Sequence, residues 1–208
     1  MKPKIYLSPS NQKLNIYPNG SNELRICNKI TDEIVKYLNF YNVKVYRNSY
    51  VNNYMTNINQ SNRLKCDTHI CIHTNIGNEN GCEVWYQNGE NKDNKIKKES
   101  KKLAEMFQNA IVKNLKREDR GIKYQLGTSK NDYFCELSNA NMPSVIIEIE
   151  FHDNIDNANW LCDNINKIAM VLSEVIIEYH KLELKNNNDI GNNSQIEHEE
   201  VIKNEVSS

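Results

Sequence analysis

Apolar residues recur along the chain in two alternating rhythms, short continuous runs and longer stretches with helical spacing. Lys4–Ser8 (KIYLS) reads as a first strand, ended by Pro9 and a polar loop that runs to Asn22. From about Asn22 to Asn39, the residues Ile26, Ile30, Ile34, Val35 and Leu38 fall on one helical face. Val43–Arg47 reads as a second strand, and a short helix near Thr56–Leu64 leads to a third strand, Asp67–His73. Cys82–Tyr86 reads as a fourth strand, and Asn94–Leu115 carries Leu103, Met106, Phe107, Val112 and Leu115 at helical spacing. Ser144–Phe151 (SVIIEIEF) is apolar enough to lie centrally in a sheet. A final helix is expected over about Asp156–His180. Strands alternating with helices predict an α/β three-layer sandwich, with a central, mainly parallel twisted sheet of about five or six strands flanked by helices.

Past Leu184 the pattern stops. Residues 185–208 have almost no apolar side chains and no aromatic ones, so burial cannot offset the entropy of ordering them. The expected organisation is therefore one domain over 1–184 and a disordered polar, acidic tail or linker over 185–208. The chain has 208 residues, enough for one well-buried domain and too few for two.

Charge adds little. The formal net charge is −1, of which residues 186–208 hold −4 (Asp189, Glu197, Glu199, Glu200 and Glu205 against Lys203). The body is left weakly basic, with nothing like the strong basic stripe that nucleic acid requires. No run approaches the roughly 18 apolar residues of a membrane span, so membrane insertion is not expected. MKPKIYLSPSNQ lacks the apolar core of a signal peptide, so synthesis in the cytoplasm is expected. Six cysteines without a C-x-x-C pair read as buried thiols in a reducing compartment.

Three residues suggest chemistry. His73 stands at the end of the third strand, where open α/β sheets place ligands. His69 shares its face, but four residues of straight strand span about 13 Å, too far for one ion. Glu148 lies inside the most apolar strand, where an ionised carboxylate needs a partner or a metal. Glu23 opens the first helix, where its charge suits the helix dipole. Each has a plain alternative: a hydrogen-bonded strand-end histidine, a glutamate paired with lysine or arginine across the sheet, a capping acid. Together they make the kit for metal-assisted hydrolysis, with carboxylate and imidazole ligands and a separate buried base.

Six segments in order resemble the zinc-dependent N-acetylmuramoyl-L-alanine amidases of type 3. GSNE (20–23) resembles that family's Gly-x-x-Glu, and VKVYRN (43–48) and INQSNRLKCDTHICIHTN (58–75) resemble the elements ending in Ile-His-x-Asn. GCEVWYQNG (81–89) is similar to Gly-x-Glu-Val-Tyr-Tyr, DRGIK (119–123) to the Arg-Gly-Val-Lys loop, and MPSVIIEIEFHDN (142–154) to Pro-x-Val-Leu-Val-Glu-x-Gly-Phe-x-x-Asn. The resemblance implies Zn2+, with Glu23 and His73 as ligands and Glu148 as catalytic base. It implies peptidoglycan as the partner, and cleavage of the bond between N-acetylmuramic acid and L-alanine.

One departure stands out. The family's Gly-His-Gly-Gly loop is replaced by Ser8-Pro9-Ser10-Asn11-Gln12, a variant resembling that of clostridial and phage endolysin-like relatives. A catalytic zinc takes three protein ligands. Gln12 is the preferred third ligand, with Asn11 and His152 as alternatives and a simple loop hydrogen bond as the plain reading of Gln12. Rival functions are a wall-binding pseudoenzyme that has lost its metal and a zinc carboxypeptidase acting on wall peptides. Without a signal peptide, action on the wall after holin-type release, or by other export, is expected. Nucleotide binding is disfavoured, because no glycine cradle follows the first strand.

Overall fold

The computed structural model describes residues 2–48, 53–90, 92–125 and 134–186. The expected tail lies, from residue 187 onward, outside the described residues. Six strands, β1 (Lys4–Pro9), β2 (Lys44–Arg47), β3 (Thr68–Asn75), β4 (Cys82–Gln87), β5 (Asp119–Gln125) and β6 (Ser144–Phe151), form one sheet in the order β2-β1-β3-β6-β4-β5. All pairings are parallel except β4 with β6. The expected three-layer α/β architecture is present.

The most continuous apolar strands occupy the middle, as burial on both faces demands. All eight residues of β6 are buried, and β3 beside it is nearly as enclosed. One face is covered by α1 (Glu23–Leu38), α3 (Asn94–Ala110), α5 (Ile155–Asp163) and α6 (Ile165–His180). Their apolar stripes close a large core with Ile5, Leu7, Ile70, Ile72, Val145 and Ile147. The other face carries less: α2 (Tyr54–Leu64) and the short α4 (Cys135–Ser138) cover small clusters around Tyr6 and around Cys71, Leu137 and Ile146. That thin layer leaves room for polar residues under it.

Asparagine supplies the helix starts. Asn22, Asn53 and Asn154 each accept a backbone N–H of the first turn of α1, α2 and α5 through the side chain, as N-caps do. The helix expected over Asn94–Leu115 is α-helical only to Ala110. Its last turn, Ile111–Leu115, is π-wound and stops at Lys116 in the left-handed region. The helix expected over Asp156–His180 is broken at Asn164, whose φ of −111° and ψ of 17° leave the helical region and whose Nδ2 donates to the Trp160 carbonyl. Two elements were not expected: the short α4, and β5, which contains the DRGIK segment read as a loop. β5 is an edge strand, and Gly121 at φ +77° lets it turn within that segment.

None of the six cysteines is in a disulfide; Cys27, Cys66, Cys71 and Cys82 are buried, whereas Cys135 and Cys162, expected to be buried too, are partly exposed. Among the described residues no helix is long and apolar enough to cross a membrane.

Candidate active site

Strand β1 has β2 on one side and β3 on the other, so the chain's path reverses direction between β1 and β3. Open parallel sheets bind ligands at the carboxyl edge of such a switch point. Here the loop after β1 and the end of β3 meet there, and α1 begins beneath them.

The segment from Asn15 to Asn22 folds back on itself: Ile16 bridges Asn22, and the Glu23 N–H donates to the Asn15 carbonyl at 3.0 Å. This sets Glu23, the first residue of α1, under the loop and 99% buried. It is no surface capping acid, since Asn22 performs the capping. Glu23 Oε1 lies 3.0 Å from His73 Nδ1. Asn15 Nδ2 donates to Glu23 Oε2 at 2.6 Å and to Gln12 Oε1 at 2.8 Å. Burial pushes the Glu23 carboxyl up, but the bond to His73, the charge of His73 and bonds from Asn15 and Ser10 together hold it below its ordinary value. Burial draws His73 down, yet the Glu23 bond and charge, with the charges of Glu148 and Glu136, raise it to about 9.

Glu148 is the register partner of His73 across β3 and β6, and of Glu83 across β6 and β4. Among the described residues no lysine or arginine pairs with it. The basic groups go to Glu83, which takes Lys123 Nζ at 2.5 Å and Arg120 Nε at 3.0 Å. Glu148 is 7% exposed, and its Oε2 is buried without a hydrogen-bond partner among the described residues. Burial, then the charges of Glu23 and Glu83, outweigh His73 and push it up to about 7. The neighbouring Glu150 is wholly different. It accepts from the N–H groups of Gly81 and Phe151 and from Arg117 Nη1, which makes it a fixed structural carboxylate.

A cavity of about 480 Å³ opens above these groups, lined by the Pro9–Gln12 loop, Tyr54, His73, Phe134, Glu136 and Glu148. A larger groove of about 620 Å³ beside Lys29, Asp32 and Arg47 holds none of the candidate residues. The structure thus brings Glu23, His73, Glu148, Gln12 and Asn11 to one place. His152 is set apart from the cavity lining. Its ring stacks on Tyr17 at 4.6 Å, its Nδ1 meets Thr74 Oγ1 at 3.0 Å, and its Nε2 has no hydrogen-bond partner among the described residues.

Sequence reasoning missed Glu136, Glu83, Asn15 and Ser8. Glu136 Oε1 accepts from Ser8 Oγ and lies 3.0 Å from His69 Nε2. These partners are 128 and 67 positions away along the chain, so no local pattern announces them. The buried Glu83 could have been found as a carboxylate within an apolar strand, the signal that marked Glu148.

A carboxylate–imidazole pair and a buried, unpartnered carboxyl at the carboxyl edge of an open α/β sheet define a class of acid–base centre. Residues 11–178 match the family model for N-acetylmuramoyl-L-alanine amidases of type 3, and the chain belongs to that family. It is 27% identical over 129 residues to the N-acetylmuramoyl-L-alanine amidase LytC of Bacillus subtilis (strain 168). That match covers 60% of this chain and 24% of LytC, so the chain spans about a quarter of that relative's length. Among solved structures, the catalytic domain of the amidase CwlV from Bacillus (Paenibacillus) polymyxa var. colistinus superposes with a TM-score of 0.74 at 18% identity. The superposition covers 88% of this chain and 100% of that one. An N-acetylmuramoyl-L-alanine amidase from Clostridium difficile 630 gives 0.70 at 21% identity, covering 86% and 97%. These likenesses extend the shared fold.

Proposed function

We propose that the chain hydrolyses the amide bond between N-acetylmuramic acid and L-alanine in peptidoglycan, with zinc held by Glu23, His73 and Gln12 and with Glu148 as general base. The observation that carries this reading is Glu148: a buried carboxyl with an unpartnered oxygen, raised to about 7, beside a carboxylate–imidazole pair. A structure does not keep such a group for stability.

The donor set fits zinc. Two donors each about 2.0–2.1 Å from a tetrahedral ion stand roughly 3.3 Å apart, close to the 3.0 Å between Glu23 Oε1 and His73 Nδ1. Gln12 Oε1 is tied to the same carboxylate through Asn15 and offers a neutral oxygen from the cavity wall. Zinc bound there would acidify water and polarise the scissile carbonyl.

The rest is the work of the chain's own residues. The Glu148 carboxylate, buried and with an oxygen left unpartnered among the described residues, takes a proton from the attacking water and returns it to the departing L-alanine nitrogen. Glu83 keeps Lys123 and Arg120 engaged, so these two cations do not quench that base. Asn15 holds Glu23 and Gln12 in fixed relation, and Glu23 in turn orients His73.

The replaced loop histidine favours a second reading, a wall-binding pseudoenzyme. One experiment separates the readings. Chelator-stripped protein should release no new L-alanine amino termini from purified walls, and added zinc should restore release without freeing terminal D-alanine. Release at the full rate by metal-free protein sinks the zinc mechanism. Wall binding with no cleavage at any zinc level establishes the pseudoenzyme, and D-alanine release a carboxypeptidase. In keeping with the sequence reading, we further propose that 1–184 is the catalytic unit and that the protein meets the wall after release from the cytoplasm.

A further inference from the structure

Beneath the floor of the cavity, on the thinly covered face of the sheet, lies a polar cluster that the proposed reaction does not use. Its members are His69 and Cys71 on β3, Glu136 on α4 and Ser8 on β1. His69 and Cys71 are fully buried and Glu136 is 8% exposed. One ligand atom from each of His69, Cys71 and Glu136 lies within 4.8 Å of the other two.

The contacts within this cluster are close and buried. Ser61 Oγ lies 3.0 Å from the Ile58 carbonyl and 2.9 Å from His69 Nδ1, so one side of the imidazole rests on a fixed hydroxyl. The other ring nitrogen, Nε2, faces Glu136 Oε1 at 3.0 Å. The same carboxylate oxygen already receives the Ser8 hydroxyl, whose oxygen is in turn held by Asn57 Nδ2. Cys71 also hydrogen-bonds to Glu136 and to Ser8. Imidazole, thiol and carboxylate thus converge on one buried point, each offering a ligand atom to the same small volume.

We infer that His69 Nε2, Cys71 Sγ and Glu136 bind a second divalent cation of the zinc class, distinct from any ion at Glu23 and His73. Imidazole, thiolate and carboxylate together suit a borderline-soft ion rather than magnesium or calcium. One thiolate and one carboxylate neutralise a dication, so the buried assembly carries no net charge. Cys71 releases its proton to solvent as the ion binds. Metal-binding histidines usually donate their other N–H to a fixed partner, the part Ser61 plays here. Tyr6 stacks on the His69 ring at 5.2 Å with 6° between the planes, which fixes the ring's orientation. Glu136 also lines the cavity. The ion would tie α4 to β3 and so hold one wall of the cavity.

The test uses cobalt, whose bond to thiolate produces a charge-transfer band in the near ultraviolet. The Glu23–His73 pair contains no sulfur, so its occupancy cannot produce that band. Metal-free full-length protein titrated with Co2+ should bind two equivalents and develop the band. Cys71→Ser should bind one equivalent without the band, and His73→Ala one equivalent with it. Circular dichroism establishes that each variant is folded. Glu136→Gln, which keeps shape at the cavity wall, should weaken the band-forming site about tenfold or more. Absence of the band in the natural sequence overturns the proposal. So does a band that survives Cys71→Ser, one that vanishes with Cys135→Ser, or an affinity unchanged by Glu136→Gln. None of these readouts involves catalysis, so failure here and failure of the amidase reading are separate events.

Discussion

Replacing Glu148 with glutamine tests whether the buried carboxyl is held at the expense of stability. The carboxyl titrates near 7 when folded, against 4.5 when exposed. Below pH 4.5 both states are protonated and the group costs nothing. Between 4.5 and 7 the unfolded chain ionises first, so the folded state binds more protons and stability falls as pH rises. At about 1.36 kcal/mol per pH unit, the full penalty above pH 7 is about 3 kcal/mol. Glu148→Gln has nearly the same shape and no charge to bury, so metal-free variant protein should gain up to that amount at pH 8 and nothing at pH 4.5. In a domain of this size each kcal/mol moves the melting temperature by about 2–4 °C, so calorimetry with chelator present should show a gain of about 6–12 °C. The same variant with zinc should lose about 10²–10⁴-fold in rate, the usual worth of general acid–base help. Equal melting temperatures across the pH range would show that Glu148 is not desolvated as described. A rate near that of the natural sequence would remove it from the mechanism.

Gln12→His should raise zinc affinity by about tenfold or more, roughly 1.4 kcal/mol, measured by competition with a chromophoric chelator; no change would place the third ligand elsewhere. His180 is depressed to about 4, chiefly by burial, with its Nε2 3.0 Å from Thr68 Oγ1. As pH falls from 6.5 to 4 the unfolded state takes up its proton first, so folding should lose up to about 3 kcal/mol. His180→Gln should flatten that part of the acid-stability profile, and an unchanged slope would refute the assignment. Ending the chain after Asn186 should leave the melting temperature within about 1 °C, because the removed residues lack the apolar surface to pack; a fall of several degrees would show that they do.

The core was legible because it depends on period. Apolar runs such as SVIIEIEF and the Ile26–Leu38 stripe can be buried in only one way, and both lie where their patterns require. What escaped depends on something other than period. β5 is an edge strand with mostly polar residues, so the alternation that marks a half-buried strand is weak, and it is recruited by pairing with β4. Asn164 breaks the last helix by a backbone angle that an asparagine adopts and a helix-period count ignores. The π-wound end of α3 keeps its apolar residues inside while changing the winding, so the hydrophobic positions alone cannot reveal it.

The site divides along the same line. Glu23, His73 and Glu148 each carried a local oddity, an acid at a helix start, a histidine at a strand end, a carboxylate in an apolar run. Their meeting follows from topology, since β3 and β6 are neighbours and α1 begins at the switch point. Gln12 and Glu136 carried no oddity, because an amide in a polar loop and an acid in a four-residue helix are ordinary. What distinguishes them is their partners: Gln12 reaches Glu23 through Asn15, and Glu136 reaches His69 and Ser8 across the sheet face. In the segment that replaces the family's Gly-His-Gly-Gly loop, Ser8 is bonded to Glu136 and Ser10 to Glu23. The altered segment therefore serves two carboxylates, Glu136 on α4 and Glu23 on α1. A single substitution at Ser8 should disturb the His69–Glu136 cluster while leaving the Glu23–His73 pair in place, which makes the two centres separable by mutation although they share a cavity wall.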